Sequence, residues 1–357
     1  MSKQDGMNYA PKGKPNRVVA EGDFFIAAVA LDHGHIYGMC NGLIEAGATL
    51  KWVYDPDPEK IDQFKNAFPE VQVASSEEEV LNDSDVKLVA GAAIPSKRCE
   101  LGLRVMDHQK DYFTDKTPFT TLGQLEQARQ KATETGQKYM VYYSERLHVE
   151  SAVFAGELID KGAIGRVIQV TGFGPHRLSA SSRPDWFFKK ETYGGILCDI
   201  GSHQIEQFLF YTKSKDAKVL SSKVGNYRSK DYPELEDYGD ATLVSDNGAT
   251  QYFRVDWLTP DGLRTWGDGR TFILGTEGYI EIRKYINVAS EDSGDHLYLV
   301  NGEGEQHFHL TGKVGYPFFG ELILDCLNRT EKAMTQEHAF KAAELCLIAQ
   351  ENAIRVE

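Results

Sequence analysis

Five cysteines in 357 residues (Cys40, Cys99, Cys198, Cys326 and Cys346) is a small number, and no two of them form a CxxC pair. The scatter excludes a zinc ribbon, a thioredoxin-like site and a disulfide framework, and fits a reduced, cytoplasmic setting. Long apolar runs are missing too. No stretch approaches the roughly eighteen apolar residues that cross a bilayer, and the opening MSKQDGMNYAPKGKPNR lacks the apolar segment of a signal peptide. Positive charge is in deficit, with 39 Lys and Arg against 53 Asp and Glu, a formal net charge of -14. Neither nucleic acid nor an anionic membrane is therefore an expected partner, since both require clustered cations. Internal repeats and low-complexity tracts are also lacking.

What is present is a change of texture near Glu145. Before it, apolar runs alternate with helical patterns. FFIAAVAL reads as a strand buried on both faces, HIYGMCNGLIEAG as a helix ending at Gly47, and TLKWVYD as the next strand, stopping at Asp55. DPEKIDQFKNAF is a helix with Asp57 as N-cap and Pro58 in its first position. VQVAS, VKLVAGAAI, DYFTDK and KYMVYYS supply further strands, with helices at SKRCELGLRVMDHQ and TLGQLEQARQKATETG. Alternation of this kind means right-handed crossovers and a doubly wound parallel sheet.

After one more helix, VESAVFAGELIDKG, strand-like segments follow one another: RVIQVTGFG, AKVLSSKVGNYR, DYGDATLVSD, ATQYFRVDWL, RTFILGTEGYIEIRKY and HLYLVNG. Asn247-Gly248 and Asn301-Gly302 mark turns between them. Strands without intervening helices imply a large, mainly antiparallel open sheet. Two helices close the chain, YPFFGELILDCLNR and EHAFKAAELCLIAQENAIR. The expected organisation is an arm over 1–22, poorly ordered or clinging to the surface, a doubly wound domain over 23–145, and a sheet domain over 146–357. The terminal helices of the last can pack back on the first domain.

Three stretches can carry chemistry. The turn ALDHGHIYG after the first strand contains Gly34 and Gly38 but no complete GxGxxG, so alone it is either a nucleotide loop or an ordinary strand–helix turn. Asp55, about twenty residues on, stands where a carboxylate accepts from a ribose diol and repels a 2′-phosphate, although DPDPEK is also a plain turn sequence. Together they favour NAD over NADP. In DKTPFTT, Lys116 falls at the C-terminal end of a parallel strand, the ligand-binding edge of such sheets. It could stabilise an alkoxide there, or be a solvated surface lysine. In YGGILCDIGSHQIEQ, Asp199 and His203 are four apart, on one helix face, beside glycines where backbone could approach a ligand. The histidine suits proton abstraction at neutral pH. The plainer readings are a helix N-terminal carboxylate and a core histidine. Asp199 and His203 could share a cation, but no further ligand cluster is legible and no metal is expected. Tyr143, Glu145, Arg146 and His148, and downstream His176, Arg177, Arg183 and Trp186, are softer candidates for lining a substrate pocket, about half of them structural.

These pieces, in this order, resemble the Gfo/Idh/MocA family (glucose–fructose oxidoreductase, inositol dehydrogenase and rhizopine catabolism). GGILCDIGSH is similar to the family's GG-x-L-x-D-x-G-x-H segment, Asp115-Lys116-Thr117 with Pro118 to its Glu-Lys-Pro motif, and DKGAIGRVIQV to the opening of its second domain. The resemblance implies a Rossmann domain followed by the open sheet, and catalysis by Lys116, Asp199 and His203. It implies an NAD cofactor held by Asp32, His33, Gly34, His35, Ile36, Asp55, Asp115 and Lys116, with Ile94, Pro95 and Ser96 as the nicotinamide-side wall. The expected activity is an NAD(P)-dependent dehydrogenase acting on CH–OH groups of a sugar, cyclitol or related polyol. A homodimer or homotetramer formed through the C-terminal sheet is implied as well. The alternatives are a dinucleotide-binding sensor without turnover and a redox-neutral, NAD-using glycoside hydrolase. One departure stands out: Asp32 falls near a position usually held by glycine, where a carboxylate repels the cofactor's phosphates unless it points away.

Overall fold

The computed structural model describes residues 5–356; Met1 to Gln4 of the expected arm, and Glu357, lie outside the described residues. The chain folds into two compact units that are interleaved in sequence. One comprises residues 7–142 and 315–340, the other residues 5–6, 143–314 and 341–356.

The first unit is built on β1 (Phe25–Val29), α1 (His35–Glu45), β2 (Thr49–Tyr54), α2 (Pro58–Ala67), β3 (Gln72–Val73) and α3 (Glu77–Asn82). It continues through β4 (Val86–Gly91), α4 (Pro95–Asp107), β5 (Asp111–Asp115), α5 (Leu122–Thr135) and β6 (Tyr139–Tyr142). Its strands pair in parallel, in the order β3-β2-β1-β4-β5-β6. The order reverses between β1 and β4, which is the switch point where open α/β sheets bind ligands. Asp57 caps α2 by accepting from Glu59 N, with Pro58 next, as the sequence requires. The short helix α3, capped by Ser76, was hidden in an acidic run with no apolar period.

Within the arm, hydrogen bonds run to α1 and the residues that follow it. Gly13 N donates to both oxygens of Glu45 at 2.8 and 3.0 Å, and Val18 N donates to Ala46 O at 2.9 Å. Asn41 donates to the carbonyls of Ala10 and Pro11, so this segment runs along α1.

The second unit begins with α6 (Ser144–Leu147), α7 (Glu150–Asp160) and β7 (Val167–Pro175). The short helices α8 (Lys190–Tyr193) and α9 (Ile196–Asp199) lead into α10 (Gly201–Thr212). Then come β8 (Ala217–Gly225), β9 (Tyr238–Ser245), β10 (Thr250–Asp256), β11 (Arg270–Gly275), β12 (Gly278–Arg283), β13 (His296–Asn301) and β14 (Gly304–His309). The chain ends with α11 (Pro317–Asn328, in the first unit), α12 (Gln336–Glu351) and β15 (Ile354–Arg355). The nine-stranded sheet runs β14-β13-β12-β11-β7-β10-β9-β8-β15. It is mainly antiparallel, but β10 pairs with β7, and β15 with β8, in parallel. The single run RTFILGTEGYIEIRKY is a hairpin, β11 and β12, and EQHFH forms the edge strand β14, which too few apolar residues announced.

One face of this sheet carries Val170, Phe253, Val255, Ile273, Ile280 and Leu299, all buried. Helix α10 packs against β7 and β10. It approaches closely because β7 has glycines there: a Cβ on Gly172 would lie 2.0 Å from Gln204 Oε1.

In the first unit Gly42 of α1 does the same for α11. A Cβ at Gly42 would sit 2.4 Å from Cζ of Phe319, whose ring is fully buried. Gly→Ala inside a helix ordinarily gains about 1 kcal/mol, but here overpacking reverses the sign. Gly42→Ala is expected to lose about 1–3 kcal/mol in urea denaturation, and adding Phe319→Leu to recover part of it.

Candidate active site

The cofactor edge of the first unit is assembled around one buried carboxylate. Asp115 ends β5 with no exposed surface. His35 Nδ1 lies 2.9 Å from its Oδ1, while His33 Nδ1 and Arg98 Nη2 each lie 3.1 Å from Oδ2. Arg98, also fully buried, comes from α4. Its remaining donors reach Ala93 O at 2.7 Å, Lys116 O and Thr117 O. One guanidinium therefore ties the loop after β4 to the loop carrying Lys116. His33 Nδ1 is also 3.2 Å from His35 N, so the neutral ring satisfies one of its two contacts at a time.

Burial raises the pKa of a carboxylate, but His35, His33 and Arg98 outweigh it and hold Asp115 well below the usual range. Burial holds His33 well below 6.5, against the attraction of Asp115 and together with His35, Lys116 and Arg98. Lys116 follows Asp115 and is 5% exposed, so it is no solvated surface lysine.

The turn after β1 is laced to the same edge. His33 N donates to Ala92 O and Ala92 N to Ala30 O. Asp32, whose charge threatened cofactor binding, points Oδ1 at Lys60 Nζ (2.6 Å) and accepts from Ile94 N at Oδ2 (3.2 Å). The repulsion foreseen at Asp32 is thus offset by a cation that carried no signal in the sequence. Ile94 and Pro95 open α4, and Ser96 O accepts from Gln124. Gly34 is the N-cap of α1, with Ile36 fully buried behind it. The backbone donors at this turn are partly spent, since His35 N faces His33 Nδ1 and Ile36 N donates to His33 O at 3.2 Å.

Asp55 is also buried, and its oxygens accept from Leu31 N (2.6 Å) and Asp57 N (2.9 Å). It shapes the turn, and each oxygen retains a second lone pair for a ribose hydroxyl. Lys60 Nζ lies 3.8 Å from its Oδ1.

In the second unit the glycine pair answers to the protein itself. Gly194 and Gly195 have φ of +88° and +96°. What closes on Gly195 is Gln350: a Cβ added to the glycine would lie 2.2 Å from the Gln350 side chain, whose Oε1 accepts from Leu197 N. Glu236 accepts from Ile196 N and from Gln350. Asp199 and His203 do not share one continuous helix: α9 ends at Asp199, Ile200 links it to α10, and Ile200 still has helical angles of -84° and -37°. Asp199 is 8% and His203 2% exposed. The charge of Asp199 reaches the buried Arg183, whose guanidinium stacks on Phe187 and Trp257.

The softer candidates divide. Arg146 is consumed by a two-pronged ion pair with Glu206 and lies over the Phe210 ring. His148 has no exposed surface. Arg177 donates to Pro260 O and Leu263 O, clamping a loop. His176 packs between Trp257 and Trp266 and is 4.0 Å from Glu145. Trp186 is half-buried beside Phe187. Glu145 accepts from Lys284 Nζ (2.7 Å) and Gln204 Nε2 (3.0 Å), a buried network in which Lys284 had no signal in the sequence. Arg98, Lys60 and Lys284 all look like ordinary surface cations until the fold buries or pairs them.

A parallel sheet with this strand order, and polar side chains gathered at its switch point, define a doubly wound α/β unit of the dinucleotide-binding class, and the second unit is a large-sheet domain. Residues 33–143 match the GFO/IDH/MocA oxidoreductase family with its NAD-binding Rossmann fold, and residues 153–281 match the GFO/IDH/MocA C-terminal domain. The chain belongs to the GFO/IDH/MocA family. It is 52% identical to a protein of Erwinia carotovora atroseptica whose crystal structure is provisionally described as an oxidoreductase. That match covers 94% of this chain and 100% of the other, with a TM-score of 0.91. Scyllo-inositol 2-dehydrogenase (NAD(+)) of Bacillus subtilis is 27% identical over 66% of each chain. D-xylose dehydrogenase of Paenarthrobacter nicotinovorans is 27% identical over 40% of this chain and 38% of its own. The aligned parts thus span two thirds or less of these two dehydrogenases.

His33 gives the site a measurable pH signature. An imidazole held below 6.5 in the fold binds a proton more readily in the unfolded chain, so its contribution is full above pH 6.5 and is lost as pH falls below it. His33→Gln is expected to flatten the decline in stability between about pH 6.5 and pH 5, measured by urea denaturation at each pH.

Proposed function

We propose that this chain is an NAD-dependent dehydrogenase acting on a CH–OH group of a sugar, cyclitol or related polyol. The observation that carries this reading is the reversal of strand order between β1 and β4, with Lys116 just past the end of β5, 5% exposed and anchored through Asp115 and Arg98. The names of the inositol and xylose dehydrogenases to which the chain is similar support the substrate class.

The residues present suit a dinucleotide. Lys60 offsets the charge of Asp32, Asp55 follows the end of β2, and α1 begins at Gly34, against which the backbone of Met7 packs. Gly34, His35 and Ile36 would face the phosphates with His33 beside them, Asp55 a ribose, and Ile94, Pro95 and Ser96 the nicotinamide side. When bound, the nicotinamide supplies the hydride acceptor or donor. In this reading Lys116 donates a hydrogen bond to the substrate oxygen and stabilises negative charge as it develops. His203 takes the hydroxyl proton as general base, and Asp199 orients the ring or a neighbouring hydroxyl. Asp55 favours NAD; NADP is the lesser candidate.

Lys116→Ala and His203→Ala are each expected to lower kcat about 10²–10⁴-fold in a screen of sugars and polyols followed by cofactor absorbance. Both should still quench on binding NADH. A wild-type protein that binds NADH but oxidises or reduces none of the panel would favour a sensor; product formed without net NADH would favour glycoside cleavage.

The same reading includes a homodimer or homotetramer formed through the large sheet. Tyr252, Phe272, Leu274 and Tyr279 are 37–45% exposed, and strand register places them on one face. An exposed apolar cluster of this kind is a surface that a second copy would cover, which supports the reading. Phe272→Asp with Leu274→Asp is expected to reduce the mass measured by light scattering to that of one chain; an unchanged mass would place the contact elsewhere.

A further inference from the structure

The hairpin of β13 and β14 holds a histidine cluster that the dehydrogenase reading does not use. Register pairs His296 with His309 and Tyr298 with His307. Because strand side chains alternate, His307 and His309 project from the same side of β14. The rings stack: His296 to His309 at 4.6 Å and 10°, His296 to His307 at 5.2 Å and 13°, Tyr298 to His307 at 4.5 Å and 8°. His296 is fully buried, whereas His307 and Glu291 are exposed and His309 is half-buried.

We propose that Glu291, His296 and His309 form a binding site for a divalent transition cation of the zinc class, with His307 fixing the orientation of the His296 ring. One ligand atom from each of the three lies within 4.8 Å of the others. Glu291 Oε2 is 3.8 Å from His296 Nε2. Two ligands about 2.0–2.1 Å from a zinc ion are about 3.4 Å apart at the tetrahedral angle, so a small movement of the exposed Glu291 closes the site. Imidazole and carboxylate together select zinc, copper or nickel over magnesium or calcium.

The other face of the His296 ring is already arranged for this. Its Nδ1 is 2.9 Å from His307 Nε2, and two ring nitrogens at that distance share one proton. With the proton on His296, Nδ1–H is donated to His307 and Nε2 offers its lone pair toward Glu291. Metal-bound histidines are held in this way by a second group on the far nitrogen. Ser293 Oγ, 3.5 Å from His296 Nε2, and Thr311 Oγ1, 3.3 Å from His309 Nε2, are the other polar neighbours. Three protein ligands leave a position for water. The ion would join the exposed loop bearing Glu291 to the edge strand β14.

The cluster His33, His35 and Asp115 also brings three ligand types together, but Arg98 already occupies its carboxylate. It serves as the internal control.

The test is calorimetric titration of zinc into tag-free protein stripped with chelator, with and without NADH. One zinc per chain is expected in both cases, with hydrogen exchange over residues 286–295 slowed. His309→Gln and Glu291→Gln should each weaken binding about ten-fold or more, and His307→Gln about 10–100-fold, while His33→Gln leaves it unchanged. The three varied positions on the hairpin and its loop are exposed or half-buried, and unaltered circular dichroism melts would confirm the fold. Absence of saturable zinc uptake overturns the proposal. So does uptake that survives both His309→Gln and Glu291→Gln, or that is lost in His33→Gln. Zinc binding without any dehydrogenase turnover would leave it standing, since the two claims use different residues.

Discussion

A carboxylate stripped of water must be supplied with other donors, and at Asp115 that requirement organises a whole sheet edge. Burying the charge unpaired would cost several kcal/mol. It is met from three elements: His33 from the turn after β1, His35 from the first position of α1, and Arg98 from the helix after β4. The same guanidinium holds the carbonyls of Lys116 and Thr117. Loops that diverge from three different strands are thereby held in one arrangement, and the proposed catalytic lysine takes its place as a consequence of a neighbour's desolvation.

The second unit repeats the device with other residues. Glu145 is satisfied by Lys284 and Gln204, Glu206 by Arg146, and Glu236 by Gln350, Lys190 and the Ile196 amide. Each network fixes a helical segment next to the GGILCDIGSH stretch. Arg146 is committed to structure through its ion pair with Glu206, whereas Arg177 spends only Nη2 on the carbonyls of Pro260 and Leu263 and keeps Nε and Nη1 without a hydrogen-bond partner among the described residues.

The order of elements, the change from parallel to mainly antiparallel sheet and the place of Lys116 just past the end of a parallel strand were legible because periodicity and turn residues are local signals. Less was legible where the deciding contact is remote. Nothing local distinguishes Arg98 or Lys284 from a solvated cation; their partners are 17 and 139 residues away. The strand β14 was missed because GEQHFH sits on an exposed edge and lacks an apolar face. The histidine cluster depends on cross-strand register, so HFH gave no indication of its partner His296. Asp199 and His203 kept their four-residue spacing but fall on two helical segments, α9 and α10, separated at Ile200, where the chain keeps helical angles.

The altered glycine turn is best understood in the same terms. Where a glycine-rich loop brings bare backbone to a pyrophosphate, this chain has imidazoles whose Nδ1 atoms turn inward to Asp115, and an acid, Asp32, matched by Lys60. The loop's shape is then set by side-chain pairing as well as by glycine's conformational freedom. A loop built in this way is stiffer, because Asp115, Arg98 and both histidines must separate before it can open. Three carboxylates, Asp32, Asp55 and Asp115, are matched at this edge by three cations, Lys60, Arg98 and Lys116, so the turn escapes the acidity of the chain as a whole.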